Sequence, residues 1–91
     1  MGQLGKSEIE KVKILVTILP SGKSYYVGIP TNWTVEKFLI GFKRKINKND
    51  EAPMLATLKR DGKELDPTST FRGEGIIDGD VILLREHVVG G

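Results

Sequence analysis

Two short segments in which apolar and polar residues alternate constrain the fold of this chain more than any other feature. They are residues 12–19 (VKILVTIL) and 24–29 (SYYVGI). Alternation with a period of two is typical of a β-strand with one apolar face. Residues 20–23 (PSGK) separate them with turn-forming side chains, so the two segments predict a β-hairpin. Each strand has one apolar face, which another element of the fold must cover.

The segment after the hairpin predicts an amphipathic helix, which would cover the apolar face of the two strands. Thr34 is a suitable N-cap, and Glu36 stands in the first turn, where the helix dipole favours an anion. Gly41 interrupts the helix interior at a cost of about 1 kcal/mol relative to alanine, which a close backbone contact would explain. The apolar residues recur at helical spacing: Val35, Phe38, Leu39, Phe42 and Ile46.

The second half of the chain predicts three more strands. Residues 54–60 alternate as a third strand, and residues 63–65 form a very short fourth one after the Asp61-Gly62 turn. Phe71 is the expected core anchor of an irregular stretch. Residues 81–85 are apolar on both faces, which is typical of a central strand. The order predicts an α+β fold in which a mixed sheet of four to five strands packs against one helix.

Length and composition limit the function. The 91 residues suffice for one domain, and we interpret residues 1–11 as a flexible leader, 12–85 as the folded domain and 86–91 as a flexible C-terminal tail that ends in diglycine. The net charge of +2 is too even to predict nucleic acid or a membrane surface as the main partner. No segment resembles a signal peptide or a membrane span, so a soluble cytoplasmic protein, monomeric by default, is expected.

The residue inventory argues against an enzyme. The chain contains no cysteine, which excludes a thiolate nucleophile and cysteine metal ligands. His87 is the sole histidine and lies on the predicted tail, where a catalytic base would not be held in place. We therefore predict no catalytic residue, no metal site and no bound cofactor.

Four short motifs, in this order, resemble those of ubiquitin and its relatives. They are Ser21-Gly22-Lys23, Thr34-Val35-Glu36, residues 61–65 (DGKEL) and Gly90-Gly91. The resemblance covers residues 12–91 and implies the ubiquitin-like β-grasp fold. Archaeal and bacterial ubiquitin-like proteins, and the sulfur carriers of thiamine and molybdopterin synthesis, are similar in residues 78–82 and 88–91.

The resemblance implies that the tail is the functional site. An activating enzyme would use ATP-Mg to adenylate the carboxylate of Gly90-Gly91, and the acyl group would pass through a conjugating enzyme to lysine amines of target proteins, from which a deconjugating protease would release it. Glycine accepts backbone angles that other residues refuse, and the six tail residues, which include His87, Val88 and Val89, can extend about 20 Å into a partner. A sulfur carrier that forms a C-terminal thiocarboxylate and a non-covalent ubiquitin-like adaptor are the alternatives.

The resemblance also assigns surface residues. The recognition patch of ubiquitin corresponds to Leu19, Lys59 and Arg85, two of which are cationic here. Burying unpaired charges is costly, which predicts weak binding to receptors that bury an apolar patch of ubiquitin. A solvated sheet face explains the charges of Lys59 and Arg85 equally well. Lys23 and Lys63 match chain-linkage lysines and are candidate acceptors, although exposed lysines are common on any surface.

Overall fold

The computed structural model describes residues 10–46 and 54–86. Within these ranges the predicted α+β class and the predicted order of elements are confirmed. The elements are β1 Lys11–Ile18, β2 Lys23–Pro30, α1 Val35–Lys45, β3 Met54–Leu58, β4 Lys63–Glu64 and β5 Val81–Glu86. β3 ends at Leu58, earlier than predicted, because the two residues that follow already belong to the turn that leads into β4.

The five strands form one mixed sheet in the order β2-β1-β5-β3-β4. β1 is antiparallel to β2, and β5 lies between β1, to which it is parallel, and β3, to which it is antiparallel. The prediction that the last strand is central is therefore confirmed. Ile82 and Leu84 point into the core, whereas Val81 and Leu83 lie on the outer face of the sheet and are partly exposed.

The core lies between the inner face of the sheet and α1. Phe71 is 0% exposed, which confirms it as an anchor, and its ring centroid lies 5.4 Å from that of Phe38 in an edge-to-face arrangement. Phe42 continues this aromatic cluster at 5.6 Å from Phe38. Each strand of the hairpin and of the β3–β5 pair contributes alternate residues, among them Val12, Ile14, Val16, Ile29, Met54, Ala56, Leu58, Ile82 and Leu84.

The irregular connection between β4 and β5 holds the start of the helix. The side chain of Thr34 accepts a hydrogen bond from the Lys37 N–H at 3.1 Å, so the predicted N-cap is confirmed. The N–H groups of Val35 and Glu36, which have no partner within a helix, donate to carbonyls of residues 67 and 69 at 2.9 Å. This connection therefore fixes α1 against the sheet.

The close backbone contact expected at Gly41 is absent from the described residues. A Cβ atom built at Gly41 would meet no heavy atom within 4 Å. Gly41 lies beside a depression of about 360 Å³ between β2 and α1, which explains the open space. The glycine therefore weakens the helix without relieving any crowding.

Candidate functional site

The predicted activation site cannot be placed on the fold. Gly90-Gly91 and the tail residues His87, Val88 and Val89 lie outside the described residues. What the structure does describe is the strand that leads to them, which ends at Glu86 in the middle of the sheet.

Leu19 and Arg85 lie close together at the end of the sheet where the chain leaves β5. The Leu19 N–H donates to the carbonyl oxygen of Leu84 at 2.8 Å, which places the turn after β1 beside the last residues of β5. Leu19 is 37% exposed, and it lines a depression of about 220 Å³ together with Arg85, Leu83 and Thr57. Two of the three predicted surface residues therefore flank the start of the tail.

Lys59 lies elsewhere on the same face of the sheet. Its N–H donates to the carbonyl oxygen of Val81 at 2.9 Å, at the opposite end of β5 from Arg85. Four residues of strand separate these ends, which corresponds to about 13 Å. The structure therefore does not bring Lys59 together with Leu19 and Arg85, and the position opposite Leu83 in β3 is occupied by Thr57. Sequence matching missed this because strand register cannot be read from motifs alone.

Lys63 is engaged within the fold. Its Nζ lies 3.0 Å from Oε1 of Glu74, whose side chain is only 5% exposed. The hydrogen bond and the charge of Glu74 raise the pKa of Lys63. The pKa of Glu74 is lowered, first by the Asp66 N–H, which donates to its other carboxylate oxygen, and then by Lys63. The amine of Lys63 is thus held protonated beside a buried carboxylate, which is unfavourable for a nucleophile.

Lys23 is exposed at the start of β2, opposite Ile18 in the hairpin. It forms no ion pair with any residue of the described ranges. Of the two candidate acceptors, Lys23 is therefore the less constrained.

An ion pair between Arg60 and Asp80 was not predicted from the sequence. Asp80 is 7% exposed, and it accepts hydrogen bonds from Arg60 Nε at 3.1 Å, from Arg60 Nη2 at 3.0 Å and from the Ile77 N–H at 3.0 Å. Burial on its own would raise the pKa of Asp80, but the hydrogen bonds and the charge of Arg60 outweigh it and lower the pKa. Arg60 also donates to the carbonyl oxygen of Gly75 at 3.0 Å, so this pair ties the turn after β3 to the loop before β5.

The described residues show no group of three or more histidine or acidic side chains arranged to hold a metal ion. None of their helices is both long and apolar enough to cross a bilayer. A depression of about 780 Å³ lies at the far end of the sheet around the Glu10–Arg72 ion pair, and none of the predicted site residues lines it.

The sequence matches no protein-family model and no curated protein. Solved structures do match its fold. Ubiquitin from Caldiarchaeum subterraneum has a TM-score of 0.70 at 24% identity, covering 90% of this chain and 100% of that chain. The UBL domain of Plasmodium falciparum Dsk2 has a TM-score of 0.71 at 20% identity, covering 86% of this chain and 100% of that domain.

A computationally designed protein based on human erythrocytic ubiquitin is also similar, with a TM-score of 0.70 and 29% identity over 88% of this chain and 96% of the design. TM-scores of 0.70 and 0.71 over most of each chain indicate a shared fold. The chain therefore has the ubiquitin-like β-grasp fold.

Proposed function

We propose that this chain is a ubiquitin-like protein modifier. In this proposal, an activating enzyme joins the carboxylate of Gly91 to AMP and releases pyrophosphate from ATP. A thiolate of the enzyme then displaces AMP, and a lysine amine of a target protein displaces the thiolate to form an isopeptide bond. The observation that carries the proposal is the position of Gly90-Gly91 a few residues after the central strand of a ubiquitin-like fold.

The geometry around the start of the tail supports this role. Leu19 and Arg85 flank the point where the chain leaves the sheet, so an enzyme that binds the tail would contact both. An apolar side chain next to a cation suits a partner surface in which an apolar residue lies beside a carboxylate. We expect the charge reversal Arg85→Glu to weaken activation without affecting the fold.

The engagement of Lys63 bears on which lysines could accept the modifier. Because Lys63 is paired with a buried carboxylate, attack by its amine would require the pair to break first. Lys23 has no such constraint, so chains of the modifier would form through Lys23 in preference to Lys63.

The test is intact-mass analysis of the purified chain ending at Gly91, incubated with ATP, magnesium and a candidate activating enzyme. A thiol-sensitive adduct with the enzyme, followed by stable conjugates to other proteins, would support a modifier. Both products should disappear when Gly90 and Gly91 are deleted, and they should persist in a Lys63→Arg variant.

Other outcomes would point to the alternatives. A gain of about 16 Da on the free chain, from sulfur replacing oxygen after acyl activation, would identify a sulfur carrier. No ATP-dependent change, with an enzyme proven active on its own substrate, would contradict activation and leave a non-covalent adaptor.

A further inference from the structure

Lys59 lies at one end of a row of residues across the outer face of the sheet, at the opposite end of β5 from Arg85. Tyr26 lies opposite Leu15 on β1, and Leu15 lies opposite Val81 on β5. The Lys59 N–H donates to the carbonyl oxygen of Val81, which extends the row to the residue that follows β3. Three strand spacings separate Tyr26 from Lys59, or about 14 Å.

The middle of this row is apolar and accessible. Tyr26 is 85% exposed, and Leu15 and Val81 are only partly buried. All three line a shallow depression of about 510 Å³. Beside Tyr26, Gly28 leaves a gap in the face of β2, since no heavy atom lies within 4 Å of where its Cβ would be. A single exposed apolar residue needs no explanation, but a contiguous group with a depression at its centre is typical of a binding surface.

Two cations border this apolar surface. Lys59, directly after β3, ends the row, and Lys13 lines the depression from β1. Within the described parts of the chain neither ammonium group forms an ion pair. The acidic residue in the depression is Asp78, whose Oδ1 is occupied by the backbone N–H of Lys13 at 2.7 Å. The surface therefore presents two lysine ammonium groups around an apolar centre, with the negative charge of Asp78 at one edge of the depression.

The backbone groups of this surface do not point toward a partner that lies on the face. The unpaired groups of the edge strand β2 point sideways, in the plane of the sheet. β1 and β5 each have a hydrogen-bonded strand on both sides, so their polar backbone groups are used within the sheet. A partner must contact side chains only, and an amphipathic helix presents such a face.

We propose that the outer face around Tyr26, Leu15 and Val81 binds an acidic amphipathic helix of a partner protein. Its apolar side chains lie over the depression, and its carboxylates pair with Lys13 and Lys59. The Cα atoms of these two lysines are separated by about 12 Å, from two strand spacings and two residues along the strand. Two turns of helix span about 11 Å, so the carboxylates are expected seven residues apart.

This surface is separate from the one that flanks the tail, and its test needs no activating enzyme. The probes are three synthetic 18-residue helical peptides that carry a leucine stripe flanked by glutamates seven residues apart and differ in the register of the stripe. Titration of the isotope-labelled full chain in about 0.15 M salt, followed by NMR, should shift the amide signals of Tyr26, Leu15 and Val81.

Matched charge reversals test whether the peptide binds at this surface and not elsewhere on the sheet. Lys13→Glu and Lys59→Glu should each weaken binding roughly fivefold, and Tyr26→Ser should weaken it at least as much. The control is Arg85→Glu, the same charge reversal on the same face of the sheet. Arg85 lies about 13 Å from Val81 along β5. This distance exceeds the screening length, so the variant should change the affinity by less than about twofold. A peptide with glutamine in place of glutamate should bind more weakly. The unbound spectra of the variants establish that each is folded.

Several outcomes would overturn the proposal. One is the absence of shifts at Tyr26, Leu15 and Val81 with all three peptides at millimolar concentration. Another is equal weakening by Arg85→Glu, which would indicate a diffuse charge effect. Stronger shifts at the same residues with a single-stranded oligonucleotide or with vesicles of anionic lipid would assign the surface to that ligand. Concentration-dependent shifts of the chain alone would assign it to a second copy.

Discussion

The Arg60–Asp80 pair gives the sharpest test of how this fold is held together. In an Asp80→Asn variant, the side chain keeps its size but replaces one acceptor oxygen with a donor. The carboxylate accepts three hydrogen bonds in a site that is 7% exposed, so at least one donor from Arg60 or Ile77 would lose its partner.

The magnitude follows from these contacts. A hydrogen bond to a charged group contributes about 1.5–3 kcal/mol. Arg60 is 48% exposed and can recover hydrogen bonds to water, which reduces the loss. We expect a decrease in the free energy of unfolding of about 2 kcal/mol at pH 7, and a fall in Tm of about 10 °C for a domain of this size.

The same pair predicts a dependence on pH. The pKa of Asp80 in the folded chain lies below its ordinary value of about 4. The ionised carboxylate therefore contributes its full stabilisation at pH values above its ordinary pKa of about 4. This contribution is lost as the pH falls through the lower, folded-state pKa. The difference in stability between wild type and Asp80→Asn should be constant from pH 7 to about pH 5 and shrink below about pH 4.

The assay is urea unfolding followed by circular dichroism at a series of pH values. Glu64→Gln is the control, because it removes one negative charge from an exposed position on β4. An Asp80→Asn variant that unfolds at the same urea concentration as this control at pH 7 would refute the reasoning. So would a difference between wild type and variant that grows as the solution becomes more acidic.

Five other substitutions have outcomes that follow from the structure. Gly41→Ala should raise the free energy of unfolding by about 1 kcal/mol in urea titrations, since a Cβ fits there, whereas Gly62→Ala, at a φ of 73°, should lower it. Lys63→Ala should lower the free energy of unfolding because Glu74 loses its partner, whereas Lys23→Ala should leave the urea midpoint unchanged. Phe71→Ala should cost about 3–5 kcal/mol by leaving a cavity among the aromatic rings, which calorimetry would detect as a large fall in Tm.

The elements of the fold could be predicted because each carries its own local signal. The alternation in residues 12–19 and 24–29 identified the hairpin, and the apolar residues on both faces of residues 81–85 identified the central strand. Thr34 signalled the start of the helix by its capping chemistry, independently of any tertiary contact. These signals lie within a few residues of the structure they predict.

What could not be predicted depends on register and on contacts between distant segments. Lys59 and Arg85 were both assigned to the recognition patch of ubiquitin, but the pairing of β3 with β5 places them at opposite ends of β5. Arg60 and Asp80 are twenty residues apart, and Lys63 meets a glutamate from an irregular stretch that has no repeating pattern. Only the folded topology brings such residues together.

The separation of Lys59 from Arg85 has a consequence for the proposed modifier. A helix is about 10 Å in diameter, so one centred on Leu15 and Val81 would extend about 5 Å to either side of their row. The row that contains Leu19 and Arg85 lies about 13 Å away along the strands and would remain uncovered. A partner helix and an enzyme that binds the tail could therefore occupy the outer face at the same time. Saturating acidic peptide should accordingly leave the rate of ATP-dependent activation unchanged, whereas Arg85→Glu should lower it, and inhibition by the peptide would contradict this division of the surface.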